Sequence, residues 1–298
     1  MRVFEAGSAV SQLQFLPDSR RLLLALDAPQ RSMNLEVWSL AGGERVHLRL
    51  PMVDPTFWQH TADGPWIAIH PTRDWCYIAW NGRLYSFDTA SGAPRPLPYS
   101  ILANSVAISP DGERVVTAYS GEITNLASGK PDKVVSRAMV SPKFRFLAGF
   151  LPGGERMVWV EEGIHIGTPG KANEGEPATK KCLGSRPQIS SDGRYLALLG
   201  YSSMYLYDLP ALGNSRQIKS SSNFGDFRSL AFHPDGKTMA MIHGGPTLVK
   251  IYDLPTLRLK DKYQWKVGSL NSVAYSPDGL LGAAASQEGK VVVWDVEG

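Results

Sequence analysis

The sequence predicts an all-β protein, a seven-bladed β-propeller of four-stranded antiparallel blades, and three observations carry that expectation. First, a turn motif recurs seven times. Its clearest copies are Ser109-Pro110-Asp111-Gly112, His233-Pro234-Asp235-Gly236 and Ser276-Pro277-Asp278-Gly279, and weaker ones start at Leu16, His70, Leu151 and Ser190. Aligned on the proline position (17, 71, 110, 152, 191, 234 and 277), successive copies lie 54, 39, 42, 39, 43 and 43 residues apart, near the ~40–45-residue period of a propeller blade. Second, short apolar runs rich in β-branched and aromatic residues flank every copy. Third, helical periodicity is weak throughout.

Within each repeat the elements follow in a fixed order. A short inner strand comes first, as at 106–108 and 273–275. The turn then closes a hairpin: proline presets φ, aspartate bonds back to its own backbone, and glycine accepts the left-handed position. The second strand is a mostly apolar run (22–26, 115–119, 195–199, 239–242), the pattern of a strand buried on both faces. A third strand often ends in an aromatic residue (35–38, 84–87, 204–207, 249–252, 291–294). A fourth, more polar segment (45–50, 133–137, 216–219) suits an outer edge, where charge discourages pairing with another chain. The seventh repeat is one strand short. Residues 2–5 precede the first inner strand and are expected to complete the last blade, closing the ring and removing its exposed edges.

The closing dipeptide Trp294-Asp295, its variants Phe87-Asp88, Tyr207-Asp208 and Tyr252-Asp253, and the Ser-Pro-Asp-Gly turns make the chain resemble bacterial WD-repeat proteins over essentially its whole length. That family often joins the tryptophan to a serine on the second strand, an aspartate in the following turn and a histidine from a Gly-His dipeptide. Here the last repeat offers Ser286, Glu288 in place of aspartate, and Trp294, while no Gly-His dipeptide occurs. Apolar packing of Ile, Val, Tyr and Trp is therefore expected to hold the blades. The resemblance implies a non-catalytic platform that docks another protein or a peptide.

Composition agrees with one large domain over residues 1–298. At 298 residues a length prior points to two domains, but propellers exceed it as single units, and 43% hydrophobic residues suffice to pack blade against blade. The formal charge of +3 comes without the dense basic stripe of a nucleic-acid module, since Lys180-Lys181 lies in a loop with Glu174 and Glu176. No apolar stretch reaches a membrane span, and the first residues lack a signal-peptide core. Cys76 sits in an apolar strand and Cys182 follows a polar loop, so no structural disulfide is expected. A monomer in a reducing cytoplasm fits these features.

Catalytic motifs are not found: there is no phosphate loop, no dinucleotide fingerprint, no nucleophile elbow and no H-E-x-x-H helix. No cofactor or metal is expected. The six histidines are scattered without ligand spacing. His70 and His233 precede the turn proline and are expected to cap it, while His243 is expected at a surface turn. Glu161-Glu162 fit a solvated turn better than a channel site. The competing reading is a channel-centred enzyme or ligand binder of the lactonase-like propeller type, whose ligands converge from several blades without a local motif. Small inner-strand residues (Ser105, Ala107, Ser272, Ala274) are expected to line the channel and favour the platform.

Topology locates the candidate site. If the recurring turns lie on one face, the turns between second and third strands share the other with the links between blades. The widest link, 51–66, carries Phe57, Trp58 and Trp66, and a later one, 220–228, carries Phe224 and Phe227. Exposed aromatics mark interaction hot spots. The expected partner-binding residues are Phe57, Trp58, Asn104, Tyr119, Tyr201, Phe224, Phe227, Arg228, Asn271 and Gln287. Asn104, Arg228 and Asn271 share one spacing, six residues before the turn proline, which places each at the start of an inner strand on the rim. Loop 167–181, on the opposite face, reads as mobile.

Overall fold

A computed structural model of the protein describes every residue except 28–32, 52–64, 98–99, 120–122, 126–129, 133–145, 161–162, 169–184, 201, 214, 221–226, 244–246 and 298. For 118–119, 123–125, 130–132, 146, 148 and 185 only the backbone is described. The fold is an all-β propeller, with no helix among the described residues. Its strands form seven antiparallel sheets, each built from consecutive strands apart from one exchange at the termini.

Strand β1 (Arg2–Glu5) leaves the first sheet to others. That sheet is β2 (Val10–Phe15), β3 (Arg21–Asp27), β4 (Met33–Ser39) and β5 (Arg45–Leu48). The second is β6 (Trp66–Ile69), β7 (Trp75–Trp80) and β8 (Arg83–Asp88). The third is β9 (Ala103–Ile108), β10 (Arg114–Tyr119), β11 (Ile123–Asn125) and β12 (Lys130–Asp132). The fourth is β13 (Phe146–Phe150), β14 (Met157–Val160) and β15 (Ile164–Gly167). The fifth is β16 (Ser185–Ile189), β17 (Tyr195–Leu199), β18 (Ser203–Asp208) and β19 (Arg216–Lys219). The sixth is β20 (Ser229–Phe232), β21 (Thr238–Ile242), β22 (Leu248–Asp253) and β23 (Leu259–Gln264). The seventh is β24 (Leu270–Tyr275), β25 (Leu281–Ser286) and β26 (Lys290–Asp295), with β1 as its outer strand. Arg2 faces Val293 in that ladder and Glu5 faces Lys290.

Second strands are buried along their length, as β17 and β25 show, and outer strands such as β23 are largely exposed. Packing sits between sheets. Seven apolar clusters each join neighbouring sheets, and one of them joins the last to the first: Val10, Leu13 and Leu24 pack with Ala283, Val291 and Val293. Phe4 lies against this cluster. Arg2 donates to the Leu40 carbonyl at 2.7 Å, and Arg45 to the Glu5 carbonyl at 2.6 Å, so the N-terminal strand is tied to the first sheet as well.

The recurring turns interlock along one face. Within a turn, the Ser276 hydroxyl donates to Asp278 at 2.5 Å and accepts the Leu281 N–H at 2.9 Å. Ser109 and Ser190 do the same for Asp111 and Asp192. Between turns, Arg114 donates to the Gly154 carbonyl, Ser191 to the Pro234 carbonyl at 3.0 Å, and Arg21 to Asp74. The Asp278 N–H reaches Ser19 Oγ at 3.2 Å, linking the last turn to the first. His70 and His233 cap their turns: Nδ1 of His70 accepts the Thr72 and Arg73 N–H groups, and Nδ1 of His233 that of Asp235. The far nitrogen of His233 donates to the Gly279 carbonyl at 3.0 Å. Gly112 (φ 78°) and Gly279 (φ 76°) are needed twice over, for the left-handed turn and because a Cβ would press into the His70 or His233 ring.

Three expectations need correction. Among the described residues the second sheet has no regular fourth strand. Its outer position is taken by a segment with prolines at 94 and 96, which makes an isolated bridge between Phe87 and Pro94, because proline supplies no N–H to a ladder. The third sheet's outer strand is β12, not 133–137, and those residues lie outside the described ones. Ser105 and Ser272 do not line an open channel. They are 0% and 5% exposed, and their hydroxyls accept backbone N–H groups of the neighbouring inner strand, from Leu147 at 3.2 Å and from Leu13 at 3.1 Å. Ser229 does the same for Val273 at 3.2 Å. Ala107 is buried in a seam between sheets, and Ala274 packs against another.

Candidate protein-interaction face

The shared spacing of Arg228 and Asn271 has a structural basis: both open inner strands, Arg228 just before β20 and Asn271 as the second residue of β24. There they join in a relay. Arg228 Nη1 donates to Asn271 Oδ1 at 3.0 Å, and Asn271 Nδ2 donates to the Val10 carbonyl at 3.2 Å. Arg186 Nη1 extends it by donating to the Arg228 carbonyl at 3.0 Å. Four successive sheets, from the fifth through the seventh and on to the first, are thereby fastened along this rim. A guanidinium has five N–H donors, so Arg228, which is half-buried, keeps donors beyond the one given to Asn271.

Arg186 was not anticipated. The fixed spacing points to Ser185, but β16 carries a register shift between Ser185 and Gln188, which moves the rim arginine by one position. Its positive φ of 50° marks the same irregularity. Asn104, in β9, and Gln287 are exposed. The Gln287 N–H donates to the Ser269 carbonyl at 2.8 Å, and Glu288 accepts the Ser269 N–H at 2.8 Å. Ser286 accepts the Lys290 N–H at 3.0 Å. Ser286 and Glu288 thus serve backbone amides of the last sheet.

Phe227 departs from the expected exposure. It packs against the cluster between the fifth and sixth sheets and stacks on His243, with ring centroids 4.8 Å apart and planes 9° from parallel. His243 is itself no surface residue: it is 5% exposed, and its Nε2 lies 2.5 Å from the Tyr252 hydroxyl. Burial pushes the Tyr252 phenol up to about 12. An aromatic two residues before a strand gives little sign of whether it folds inward, and here the adjacent imidazole supplies a flat partner. Tyr119 ends β10 opposite Ala103, where the backbone alone is described. Phe57, Trp58, Tyr201 and Phe224 lie outside the described residues, as does most of loop 167–181.

A buried carboxylate on the first sheet also escaped the sequence reading. Glu36 is 8% exposed. It accepts the Trp38 indole N–H at 2.7 Å and lies 3.2 Å from His47 Nδ1, while Arg45 stacks over the Trp38 ring at 4.2 Å. Alternation of Glu36 and Trp38 on one strand was the available signal. Among the described residues no group of three or more His, Cys, Asp or Glu could hold a metal ion, and no helix is long and apolar enough to cross a membrane.

The WD domain, G-beta repeat family matches residues 262–295, from within β23 through β26. Pre-mRNA-processing factor 19 of Oryza sativa subsp. japonica is 33% identical over 92 residues, 30% of this chain and 17% of that protein. Periodic tryptophan protein 2 of Saccharomyces cerevisiae is 31% identical over 121 residues, 40% of this chain and 12% of that protein. Small ribosomal subunit protein RACK1 of Caenorhabditis elegans is 30% identical over 69 residues, 23% of this chain and 21% of that protein. The chain thus spans less than a quarter of the length of each of these relatives.

Proposed function

We propose that the protein is a non-catalytic scaffold that docks another protein or a peptide, built on a closed ring of seven blades in which β1 completes the last one. The observation that carries the function is the match to the WD domain, G-beta repeat family at residues 262–295, alongside the similarity to the three relatives. The docking face is the rim where inter-sheet links and second-to-third-strand turns emerge, with Asn104, Arg228, Asn271 and Gln287 as polar contacts and Phe57 and Trp58 as aromatic anchors. The Arg186–Arg228–Asn271 relay supports this choice, since side chains fixed before binding lose less entropy on association. The ring reading draws support from the apolar cluster between first and last sheets and from the Asp278–Ser19 contact. The bacterial Ser-Pro-Asp-Gly type of repeat, a monomeric state and a cytoplasmic location complete the proposal.

The test is affinity capture with the full chain, followed by mass spectrometry and titration of the retained partner. Trp58→Ala and Arg228→Ala are each expected to weaken binding by ~2 kcal/mol, the cost typical of an interface anchor, with the thermal midpoint largely kept. If both bind normally while changes in loop 167–181 abolish binding, the face is wrong.

A further inference from the structure

We propose a second contact site on the flank of the molecule: a cleft between the first and second sheets that takes an extended, acidic segment of a partner protein by pairing with the edge of β8. It rests on the scaffold reading but lies apart from the rim relay.

The site follows from the missing fourth strand. In the β7–β8 ladder Leu84, Ser86 and Asp88 turn their backbone groups outward. Among the described residues the segment after β8 meets this edge where Gly92 N–H donates to the Asp88 carbonyl at 2.9 Å, Asp88 N–H to the Ala93 carbonyl at 2.9 Å and Arg95 N–H to the Ser86 carbonyl at 2.8 Å. It then departs at Pro96 and returns with the Ile101 carbonyl accepting the Leu84 N–H at 2.9 Å. Between these contacts the Ser86 N–H and the Leu84 carbonyl have no partner among the described residues. One outward donor and one outward acceptor on residues two apart along a strand edge match the pairing groups of an added extended chain.

A cleft of about 520 Å³ opens over this gap, within the size range of ligand sites. Arg49 and Pro51, which follow β5, form one wall, and Leu84, Ser86, Arg95 and Leu97 belong to the other. Among the described residues its charge is one-sided, since two arginines and no carboxylate line it. Arg95 is held in place by stacking on Trp75, 3.4 Å from the ring centroid. Arg49 is exposed and has no hydrogen bond or ion pair among the described residues. Backbone groups select an extended polypeptide, and the arginines select carboxylate side chains on it.

The experiment uses the full chain and two fluorescein-labelled pools of short peptides. One alternates Val or Leu with Asp or Glu, and the other has Lys at the acidic positions. The acidic pool should bind and the basic pool should not. Arg49→Glu should weaken the acidic pool about tenfold or more, and Ser100→Trp, which fills the cleft from an exposed position, should abolish it. Both variants should melt like the parent. Hydrogen exchange at Ser86 should slow when the acidic pool is added. Equal binding of both pools, binding undiminished in both variants, or displacement by a short oligothymidylate would overturn the assignment, the last in favour of nucleic acid. A partner protein captured equally by the parent and by Arg49→Glu would overturn the cleft and leave the scaffold reading standing. Acidic-pool binding through Arg49 with no protein partner retained would sustain the cleft and sink the scaffold reading.

Discussion

Ser272→Ala tests the ring with one oxygen atom. In the structure the Ser272 hydroxyl accepts the Leu13 N–H at 3.1 Å, across 259 residues of sequence, in a buried seam between the last and first sheets. Alanine keeps the shape and leaves that donor unsatisfied, a penalty of about 1–3 kcal/mol for a buried group. At roughly 2 °C per kcal/mol for a chain of this size, the melting temperature should fall by ~2–6 °C. Ser105→Ala provides the matched control, because it removes an equivalent buried bond to Leu147 between consecutive sheets. Ser229→Ala, at a part-buried bond to Val273, should cost less. The Ser105 and Ser272 seams share no partner or strand, so their double variant should show nearly additive losses. Thermal melts followed by circular dichroism at fixed protein concentration read all four. A fall for Ser105→Ala with no change for Ser272→Ala would refute closure, since an open array has no seam between first and last sheets.

Deleting residues 1–7 removes the β1 ladder, the Phe4 packing and the Arg2 and Arg45 ties, so the melting temperature should drop further than for any single serine; an unchanged melt would count against the strap. Cys76 is fully buried, and burial pushes its thiol up to about 12. A thiol reagent should therefore label it only after denaturation while Cys182 reacts readily, and a native disulfide between them would contradict this. Asp111 and Asp278 are held below the usual 3.8, first by the serine hydroxyl each accepts from and then by a backbone N–H. At Asp18, Asp192 and Asp235 burial pushes the other way, but hydrogen bonds outweigh it and these too are lowered. A depressed folded-state value means stability present above the unfolded value and lost as pH falls through the folded one. The urea midpoint should hold near neutral pH and fall below about pH 4, and a midpoint unchanged down to pH 3 would remove the turns from the stability account.

The turn motif made most of the architecture legible, because Ser, Pro, Asp and Gly each do local work that survives any tertiary setting. Tyr195–Leu199 and Arg216–Lys219 coincide with β17 and β19 for the same reason: one is apolar throughout and the other polar at an edge. What escaped was decided between strands. Whether Ser105 lines a channel or bonds a neighbour depends on the next sheet's register. His243 reads as a surface residue until Phe227 and Tyr252 are brought against it. Pro94 and Pro96 were a local signal against a regular fourth strand that the four-stranded expectation passed over, and the cleft beside them depends on Arg49, from another repeat. At the rim, spacing from the proline found Arg228 and Asn271, and failed at Arg186 where a bulge changed the count.

The pairing of β1 with β26 also fixes how the molecule would respond to mechanical load. Arg2 lies opposite Val293, and the Met1 amino group is 3.8 Å from the Asp295 carboxylate, so the two ends of the chain emerge side by side at the same end of one antiparallel ladder. Tension applied between them would peel the strands apart one bonded pair at a time, whereas tension applied along a ladder must rupture its bonds together. The same strand that contributes to thermal endurance would be the first to yield to a pull, and its release would open the flank of the first sheet where Arg45 had held Glu5.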